Sequence, residues 1–350
     1  MKILIHLLPG LGNALLFTPT LRAIRKSFPN AEITVLVMYK SVMEILKDNP
    51  NIDKLILWEF QKNGYIKSFL FVLKLRRNKY DISVMPYPAN NYYYTGVSFL
   101  CGSKIRISHK YPIKRLRSFS FLFTKRIPLD RNVHEIDENL RLISLIGIKE
   151  NKFDKKLDLC LAPENMDYAN EFFRINKISK NDKIIGIHAG SSEQAGMINK
   201  RWNKDNFVET ANLLSKDMKG KFLLFGGSNE KELKDYIKNR VNNSYIVNEA
   251  NTLDTAAIIS KCDAFLTNDT GLMNIASAVN VPTVVIEGPN DPIRTAPTGN
   301  KNIVVYLPLF CRPCYMVGNK LECRFEHYNC LKFIDIMKVV NSLKSVIKDS

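Results

Sequence analysis

The sequence lacks an uninterrupted hydrophobic run long enough to cross a bilayer. Its most apolar stretch, residues 3–21, carries almost no charge, but proline and glycine interrupt it at residues 9–12 and at Pro19. No small-residue cleavage site follows it. We therefore expect neither a transmembrane segment nor a signal peptide, and we predict a cytoplasmic location.

Acidic residues are few relative to basic ones. The chain has 51 Lys and Arg against 34 Asp and Glu, a formal net charge of +17. This excess favours anionic lipid headgroups, phosphorylated glycans or nucleic acid as partners, although compositional drift toward Lys, Asn and Ile is an equally open explanation. Because no recognisable nucleic-acid-binding module is present, we expect no nucleic-acid partner.

A complete dinucleotide-binding fingerprint is also missing. The sequence GLGN at residues 10–13 follows a predicted strand at residues 3–8, but it lacks the full glycine spacing and the acidic partner. A nucleotide-dependent oxidoreductase is therefore the less favoured alternative.

What is present fits two α/β domains. A length of 350 residues exceeds one typical core, and 45% hydrophobic residues support globular burial. Alternating apolar runs and amphipathic segments predict a right-handed parallel sheet in the first half. The predicted strands are 3–8, 33–37, 52–58 and 81–87. The predicted helices are 14–28, disturbed at Pro19, 41–47, 65–77 and 134–148. Residues 149–164, with a short LDLCL strand, are expected to be the interdomain linker.

A strand-turn-helix-strand unit lies at residues 262–291. An apolar run at 264–267 leads into Asp269, Thr270 and Gly271, and a short helix follows. Ligands bind at the carboxyl ends of parallel strands, where helix N-termini expose backbone amides. The turn therefore suits a phosphate, while a plain helix cap without a ligand is the alternative.

Two further strand-end loops are rich in small residues. One follows the apolar run at residue 184 and contains Ser191 and Ser192, and the other is Gly226-Gly227-Ser228 after a strand at 221–225. In a parallel sheet these loops and the 269–271 turn would line one crevice.

Together these segments resemble glycosyltransferase family 9, the ADP-heptose:lipopolysaccharide heptosyltransferases and their relatives. The likeness covers nearly the whole chain. The matching motifs are ILIHLLPGLGNALLFTPTLRAI at 3–24, HAGSS at 188–192, KRW at 200–202, FGG at 225–227 and TNDTGLMNIASAVNVPTVVIEGPNDP at 267–292.

The resemblance implies an α/β, GT-B fold with two Rossmann-like parallel-sheet domains facing a central cleft. It implies an acceptor-side domain at residues 1–160 and a nucleotide-sugar donor-binding domain at 161–330. Residues 331–350 would form a C-terminal helix packing toward the domain junction.

The implied activity is inverting, metal-independent transfer of a heptose-like sugar from a nucleotide-sugar, ADP-linked by resemblance, to lipopolysaccharide or another cell-surface glycan. No cofactor and no metal are expected. Such chemistry needs cations and oriented amides for the leaving diphosphate. The expected donor-site residues are Ser191, Ser192, Lys200, Gly226, Gly227, Asn251, Thr252, Asp269, Thr270 and Gly271. Lys200 falls at the family's phosphate-binding lysine, and an ordinary surface lysine is the alternative.

Two positions depart from the family pattern. Asn13 stands where many heptosyltransferases carry an Asp that acts as general base, and Asn274 stands where they often carry a His near the donor sugar. An amide cannot accept the proton. Asn13 is therefore predicted to be catalytic only by orienting the acceptor or a water. A catalytically silent homologue that binds nucleotide-sugar or glycan is the alternative.

Residues 104–126 hold a dense group of basic side chains interleaved with Phe119, Phe121 and Phe123. This composition fits an anionic lipid-linked glycan acceptor, or peripheral contact with the inner face of the cytoplasmic membrane. A solvated loop edge is the alternative.

Four of the seven cysteines cluster near the C-terminus. Cys311, Cys314, Cys323 and Cys330 form the pattern C-x2-C-x8-C-x6-C, which in a cytosolic protein suggests zinc more than disulfides. Because the resemblance implies metal-independent chemistry, we favour a structural role, and zinc stays the alternative.

Overall fold

A computed structural model describes residues 1–89, 91–111, 118–149, 152–179, 181–248, 251–299, 301–315 and 320–348. The chain divides into two compact units, Met1–Cys160 and Leu161–Ser350, and each is built on one six-stranded parallel sheet.

In the first unit the sheet has the strand order β3-β2-β1-β4-β5-β6. Its strands are β1 Lys2–Leu7, β2 Glu32–Val37, β3 Lys54–Leu57, β4 Ile82–Val84, β5 Ile105–Lys110 and β6 Lys125–Pro128. Its helices are α1 Leu11–Ser27, α2 Lys40–Leu46, α3 Phe60–Arg76, α4 Tyr92–Leu100 and α5 Glu135–Leu142. Strands β1 and β2 are buried along nearly their whole length, which explains their continuous apolar runs.

Helix α1 passes through Pro19 without a break. A proline inside a helix removes the N–H that would bond the carbonyl four residues earlier, here that of Leu15. The hydroxyl of Thr18 donates to that carbonyl at 2.7 Å. The carbonyl of Leu15 therefore has a side-chain donor in place of the missing N–H, and the helix continues to Ser27.

The predicted LDLCL strand at residues 157–161 is wrong. These residues form neither helix nor strand. The backbone N–H of Asp158 donates to the hydroxyl of Thr18 at 2.9 Å, and the Asp158 carboxylate pairs with Arg22. Since α1 side chains hold this segment, its backbone has no strand partner within the described residues.

The second unit repeats the same design, with the strand order β12-β11-β10-β7-β8-β9. Its strands are β7 Lys183–His188, β8 Gly220–Leu224, β9 Ser244–Ile246, β10 Ala264–Asn268, β11 Thr283–Ile286 and β12 Ile303–Val305. Its helices are α6 Pro163–Ile175, α7 Lys204–Asp217, α8 Lys231–Lys238, α9 Thr252–Ile259, α10 Gly271–Ala278, α11 Pro292–Thr295, α12 Asn329–Lys332 and α13 Ile336–Lys348.

In both sheets the first and fourth strands of the unit are neighbours, and the later strands run outward on either side. This is the 3-2-1-4-5-6 order of doubly wound folds, in which the strand order reverses between the first and fourth strands. In the second unit this switch point lies between β7 and β10, which pair from Ala264 with Ile185 to Thr267 with His188. Loops that follow these two strands are therefore neighbours.

The C-terminal helix α13 packs on the sheet of its own unit. It contacts α7, β10, β11 and β12, and Val339, Val340 and Leu343 are buried in that core. Its predicted packing toward the domain junction stays a prediction.

No helix in the described part of the chain combines the length and apolar character needed to cross a membrane.

Candidate functional site

A buried histidine joins the two loops at the switch point. His188 ends β7, and its Nε2 lies 3.2 Å from Oε2 of Glu230. Its Nδ1 lies 3.1 Å from the hydroxyl oxygen of Thr270, which follows β10. If Nε2–H donates to the carboxylate, Nδ1 accepts from the Thr270 hydroxyl, so each ring nitrogen has a hydrogen-bond partner.

The carboxylate of Glu230 is the centre of this arrangement. Its Oε2 also accepts from the backbone N–H of Gly227 at 3.1 Å, and its Oε1 lies 3.4 Å from Arg201. Burial by itself raises the carboxyl pKa. The hydrogen bond and charge of His188, the N–H of Gly227 and the charge of Arg201 outweigh it, and the pKa lies below its ordinary value. Glu230 is therefore ionised at neutral pH.

Two glycines make room for this carboxylate. A β-carbon at Gly190 would overlap Oε1 of Glu230. Gly226 has a φ of 147°, a conformation that L side chains rarely adopt, and a β-carbon there would lie 2.6 Å from Oε2. We predicted that Gly226 lets a nucleotide approach the backbone, and the structure adds this separate reason for glycine.

Arg201 connects the Glu230 carboxylate to the loop after β7 that contains Ser191 and Ser192, called the serine loop below. Its guanidinium donates to the backbone carbonyl of Ser191, and its Nε donates to the Ser191 hydroxyl oxygen at 3.0 Å. That hydroxyl in turn donates to the carbonyl of Met197 at 2.9 Å. The hydroxyl of Ser191 therefore orders its own loop, while that of Ser192 accepts from the exposed Gln194 N–H.

Asn268 fixes three chain segments at once. Its amide group donates to the carbonyls of Ala189 at 2.8 Å and Gly190 at 3.2 Å, and its oxygen accepts from the N–H of Trp202 at 2.9 Å. Because Asn268 is fully buried, replacing it would leave these backbone groups without partners. The serine loop, the 200–202 segment and the end of β10 are thus held together.

Lys200 lies beside Asp269. Its Nζ is 3.5 Å from Oδ2 of Asp269, and both side chains are largely buried. The same carboxylate oxygen accepts from the amide of Asn290. Lys200, from the segment after β7, is therefore held beside the loop that follows β10, and its predicted contact with the diphosphate stays a prediction.

Within the described residues, the N-terminus of α10 has no side-chain cap from its N-cap residue. Thr270 is the N-cap residue, but its hydroxyl is turned to His188 and bonds no helix amide. The amides of the first turn, beginning at Gly271, therefore lack the usual capping acceptor. An anion is the natural ligand for such a helix end.

Asn251 and Thr252 lie at the start of α9. Asn251 is the N-cap of α9, where its oxygen accepts from the Asp254 N–H at 2.8 Å and its amide donates to the Asp254 carboxylate at 2.6 Å. Their predicted place near the nucleotide base stays a prediction.

The two residues that depart from the family pattern, Asn13 and Asn274, both lie in helices. Asn13 is in the first turn of α1, directly after β1 in the first unit, and is half-buried. Asn274 lies in α10, and its side-chain oxygen is buried without a hydrogen-bond partner among the described residues. An acceptor left without a partner in this position is consistent with a ligand donor nearby.

A second buried carboxyl group lies close to Asp269. Burial and the charge of Asp269 raise the pKa of Glu287 to about 8, against the opposing effects of the Thr295 hydroxyl, Arg312 and Lys200. Glu287 is therefore largely protonated at neutral pH, which limits the negative charge around Lys200.

The four clustered cysteines line one cavity of about 440 Å³, together with His327. They are free thiols, and no three His, Cys, Asp or Glu side chains in the described ranges are grouped so as to hold a metal ion. Both the structural role and zinc stay predictions.

The basic stretch at 104–126 is described only in part, because 112–117 lie outside the described residues. Lys110 and Arg126 are exposed, whereas the guanidinium of Arg106 bonds the carbonyls of Ser103 and Leu122 and lies 5.5 Å from the Phe99 ring. Phe123 is buried, and Phe119 and Phe121 are exposed.

Sequence reasoning missed His188, Arg201 and Glu230 as members of the site. Two of them lie inside motifs that were recognised, and the third had a local signal. Glu230 stands three residues after Gly227, the spacing at which a Glu side chain accepts from the N-cap amide.

Comparison with known proteins gives consistent matches. A sequence profile described as "Glycosyltransferase family 9 (heptosyltransferase)" matches residues 70–325. Lipooligosaccharide heptosyltransferase 2 of Campylobacter jejuni is 28% identical over 360 residues, covering 99% of this chain and 99% of that protein.

Solved structures share the fold. A family 9 glycosyltransferase from Veillonella parvula superposes with a TM-score of 0.82 at 23% identity, covering 100% of this chain and 98% of that one. The E. coli ADP-heptose lps heptosyltransferase II gives 0.75 at 20% identity, with 100% and 99% covered. The predicted α/β, GT-B fold class with two Rossmann-like parallel sheets is confirmed.

Proposed function

Because the chain belongs to glycosyltransferase family 9 and is a glycosyltransferase, we propose that it transfers heptose from ADP-heptose to a lipopolysaccharide-type acceptor. The relatives named above are heptosyltransferases, and one of them is named for ADP-heptose. The family membership and the enzyme class predicted from the sequence are confirmed, while donor and acceptor are our proposal.

The proposal rests on two neighbouring features of the second unit. One is the largely buried Lys200 beside Asp269, and the other is the N-terminus of α10, whose N-cap residue makes no side-chain cap. Lys200 comes from the segment after β7 and lies 3.5 Å from Asp269, and the first turn of α10 begins two residues after Asp269. As the bond from the anomeric carbon to the diphosphate breaks, negative charge grows on the leaving oxygen. A fixed ammonium group and oriented amides stabilise that charge more than they stabilise the bound donor.

The network around Glu230 keeps these groups in place. His188 bonds Thr270 at the start of α10, and Arg201 adjoins Lys200 in the chain and bonds the serine loop. We assign both as positioning residues. Glu230 bonds His188 and pairs with Arg201, and we assign Lys200 as the cation that meets the diphosphate.

We further propose inversion at the anomeric carbon without a metal ion. Lys200 and the α10 amides provide the positive charge that the departing diphosphate requires, and one direct displacement then suffices. The acceptor hydroxyl must still lose its proton. Asn13 cannot take it, so we assign Asn13 to orienting the hydroxyl or a water that carries the proton away.

The proposed acceptor is a lipid-linked anionic glycan, which would place the reaction at the inner face of the cytoplasmic membrane. The first unit is then the acceptor side and the second unit the donor side. The exposed basic residues of the 104–126 stretch fit phosphate groups on such an acceptor.

Ligand-dependent thermal shifts test this proposal. The purified chain is incubated with ADP-heptose, other ADP-sugars, UDP-sugars, GDP-sugars and NAD(P), and the melting temperature is recorded, since a selective ligand stabilises the native state by mass action. We expect a shift with ADP-heptose, and release of ADP when lipopolysaccharide lacking the terminal heptose is added.

The other outcomes separate the alternatives. A shift with NAD(P) alone would overturn the proposal in favour of an oxidoreductase. Selective binding of the donor without release of ADP on any heptose-deficient acceptor would favour the silent homologue, which Asn13 and Asn274 support.

A further inference from the structure

Helix α3 turns an apolar face to the solvent. The helix is kinked at Gly64, where φ is 67°, and from there Ser68, Val72 and Leu75 bury its inner side. Its outer side carries Tyr65 at 80% exposure, Ile66 at 79%, Phe69 at 48% and Leu70 at 60%. Their spacing places these four on neighbouring positions of one helix face. An outward face of this kind is unusual for a helix that packs on a sheet.

The apolar face continues across two neighbouring elements. The hydroxyls of Tyr65 and Tyr93 lie 3.4 Å apart, and the rings of Tyr93 and Tyr92 are 4.0 Å apart at the start of α4. The Tyr92 ring meets Phe119 at 6.3 Å, and Phe119 meets Phe121 at 6.0 Å. We call this set the aromatic surface: Tyr65, Ile66, Phe69, Leu70, Tyr92, Tyr93, Phe119 and Phe121.

The sequence around the aromatic surface is almost free of negative charge. From Phe60 to Leu129 it has fourteen Lys and Arg and a single acidic residue, Asp81. Most of the net charge of +17 therefore resides in this stretch. On α3 itself, Lys67 and Lys74 are exposed three residues before and four residues after Leu70.

We propose that the aromatic surface docks on a bilayer that contains anionic lipids, with the apolar tips at the acyl boundary and the lysines at the headgroups. Tyrosine and phenylalanine suit the interfacial region, and Ile66 and Leu70 gain from leaving water. Each nearby lysine adds attraction to the negative surface. The inference extends the proposed membrane location and names the surface that contacts the bilayer.

Two other occupants fit less well. A second copy of the chain would bring two strongly positive surfaces together, and like charges repel. A nucleic acid would match the charge and the rings, but it offers nothing apolar to bury Ile66 and Leu70, whose aliphatic side chains are among the most exposed of the surface.

Vesicle binding tests the inference without donor or acceptor, so its result does not depend on the proposed transfer reaction. The full chain is sedimented with vesicles of phosphatidylcholine alone, or with a quarter of phosphatidylglycerol. We expect binding to the anionic vesicles, weakened by salt. The double variant Ile66→Ser, Leu70→Ser should have an affinity for the anionic vesicles that is lower by about tenfold or more. The affinity of Lys67→Gln, Lys74→Gln should fall by about tenfold as well.

Matched controls come from the second unit. Ile175→Ser removes an aliphatic side chain that is 64% exposed, and Lys216→Gln, Lys219→Gln removes two exposed lysines. Both controls should bind like the wild type, and all variants should keep its melting temperature.

Three results would overturn the inference. The first is equal vesicle binding by the wild type and the Ile66→Ser, Leu70→Ser variant. The second is a single-stranded RNA that binds the wild type and this variant alike and displaces the vesicles. The third is a dimer that dissociates in this variant, which would make the surface a contact between copies.

Discussion

Glu230 is packed so closely against the backbone of Gly190 that a β-carbon at residue 190 would overlap its carboxylate. The same carboxylate bonds His188 and Gly227 and lies 3.4 Å from Arg201. The glycine of the HAGSS motif is thus required by a residue forty positions later in the chain.

Gly190→Ala should therefore damage both the fold and the activity. We expect a loss of about 1–3 kcal/mol in the free energy of unfolding, the usual effect of overpacking. Displacement of Glu230 should misplace Thr270 and lower kcat/KM for transfer by about 10²-fold. Chemical denaturation and ADP-release kinetics measure the two effects.

Gly220→Ala is the matched control for this substitution. Gly220 lies in β8 of the same unit, and a β-carbon there would meet its nearest atom at an ordinary 3.5 Å. If both variants behave alike, the contact with Glu230 is not the cause.

Lys200→Ala should lower turnover by roughly 10²-fold or more, the scale of losing one contact to the developing charge. The affinity for ADP-heptose should fall less, because the contact strengthens as the diphosphate leaves. Steady-state kinetics with the exposed Lys219→Ala as control separate this effect from a general loss of positive charge. Wild-type turnover in Lys200→Ala would show that the donor site is elsewhere.

Asn13→Ala should impair transfer and leave nucleotide-sugar binding nearly unchanged, because Asn13 belongs to the first unit and the proposed donor residues to the second. Titration of ADP-heptose by calorimetry measures the binding, and ADP release measures the transfer. An equal loss of both would contradict our assignment of the two units.

Asn13→Asp is the more informative substitution at this position. If another group or a water already takes the proton, the new carboxylate should bring little gain in rate. If the protein is a silent homologue, the carboxylate could create transfer where none was measurable, because it can act as a general base.

Glu287 should make the stability depend on pH. Burial first, and the charge of Asp269 second, raise its pKa from 4.5 to about 8 in the native state. Between these values the native state holds a proton that the unfolded state has released, so the free energy of unfolding falls as the pH rises. The slope is at most about 1.4 kcal/mol per pH unit, and it vanishes above both values.

Glu287→Gln should flatten this slope between pH 5 and 8, roughly the window set by the two pKa values. Denaturation curves at several pH values test it, with the exposed Glu232→Gln as control. A wild-type slope in Glu287→Gln would assign the dependence to another group.

Chelators should leave folding and transfer intact, since the proposed chemistry uses no metal. Treatment of the purified enzyme with a strong zinc chelator, followed by thermal melting and an ADP-release assay, checks this. Stoichiometric zinc in freshly purified protein, lost on chelation with unfolding, would instead assign the cavity of Cys311, Cys314, Cys323 and Cys330 to a metal.

Much of the fold follows from local patterns. The buried strands β1, β2, β7 and β10 are continuous apolar runs, and such runs are readable because parallel strands lose water on both faces. The strand-end loops are readable because turn residues and glycines mark them. Local patterns failed at residues 157–161, because the partners of this segment are distant in sequence. The Thr18 hydroxyl accepts from the Asp158 N–H, and Arg22 bonds the Lys156 carbonyl and pairs with the Asp158 carboxylate.

By itself, the sequence determined the family, the two-domain α/β fold class and the loops that carry Lys200, Asp269 and Thr270, because motif residues and strand periodicity are local properties. Only the tertiary structure decided that Glu230 joins His188 to Arg201, since these residues come from three separate segments. It also decided that the apolar side chains of α3 lie outside the core, because periodicity shows that a helix has an apolar face but not what that face meets.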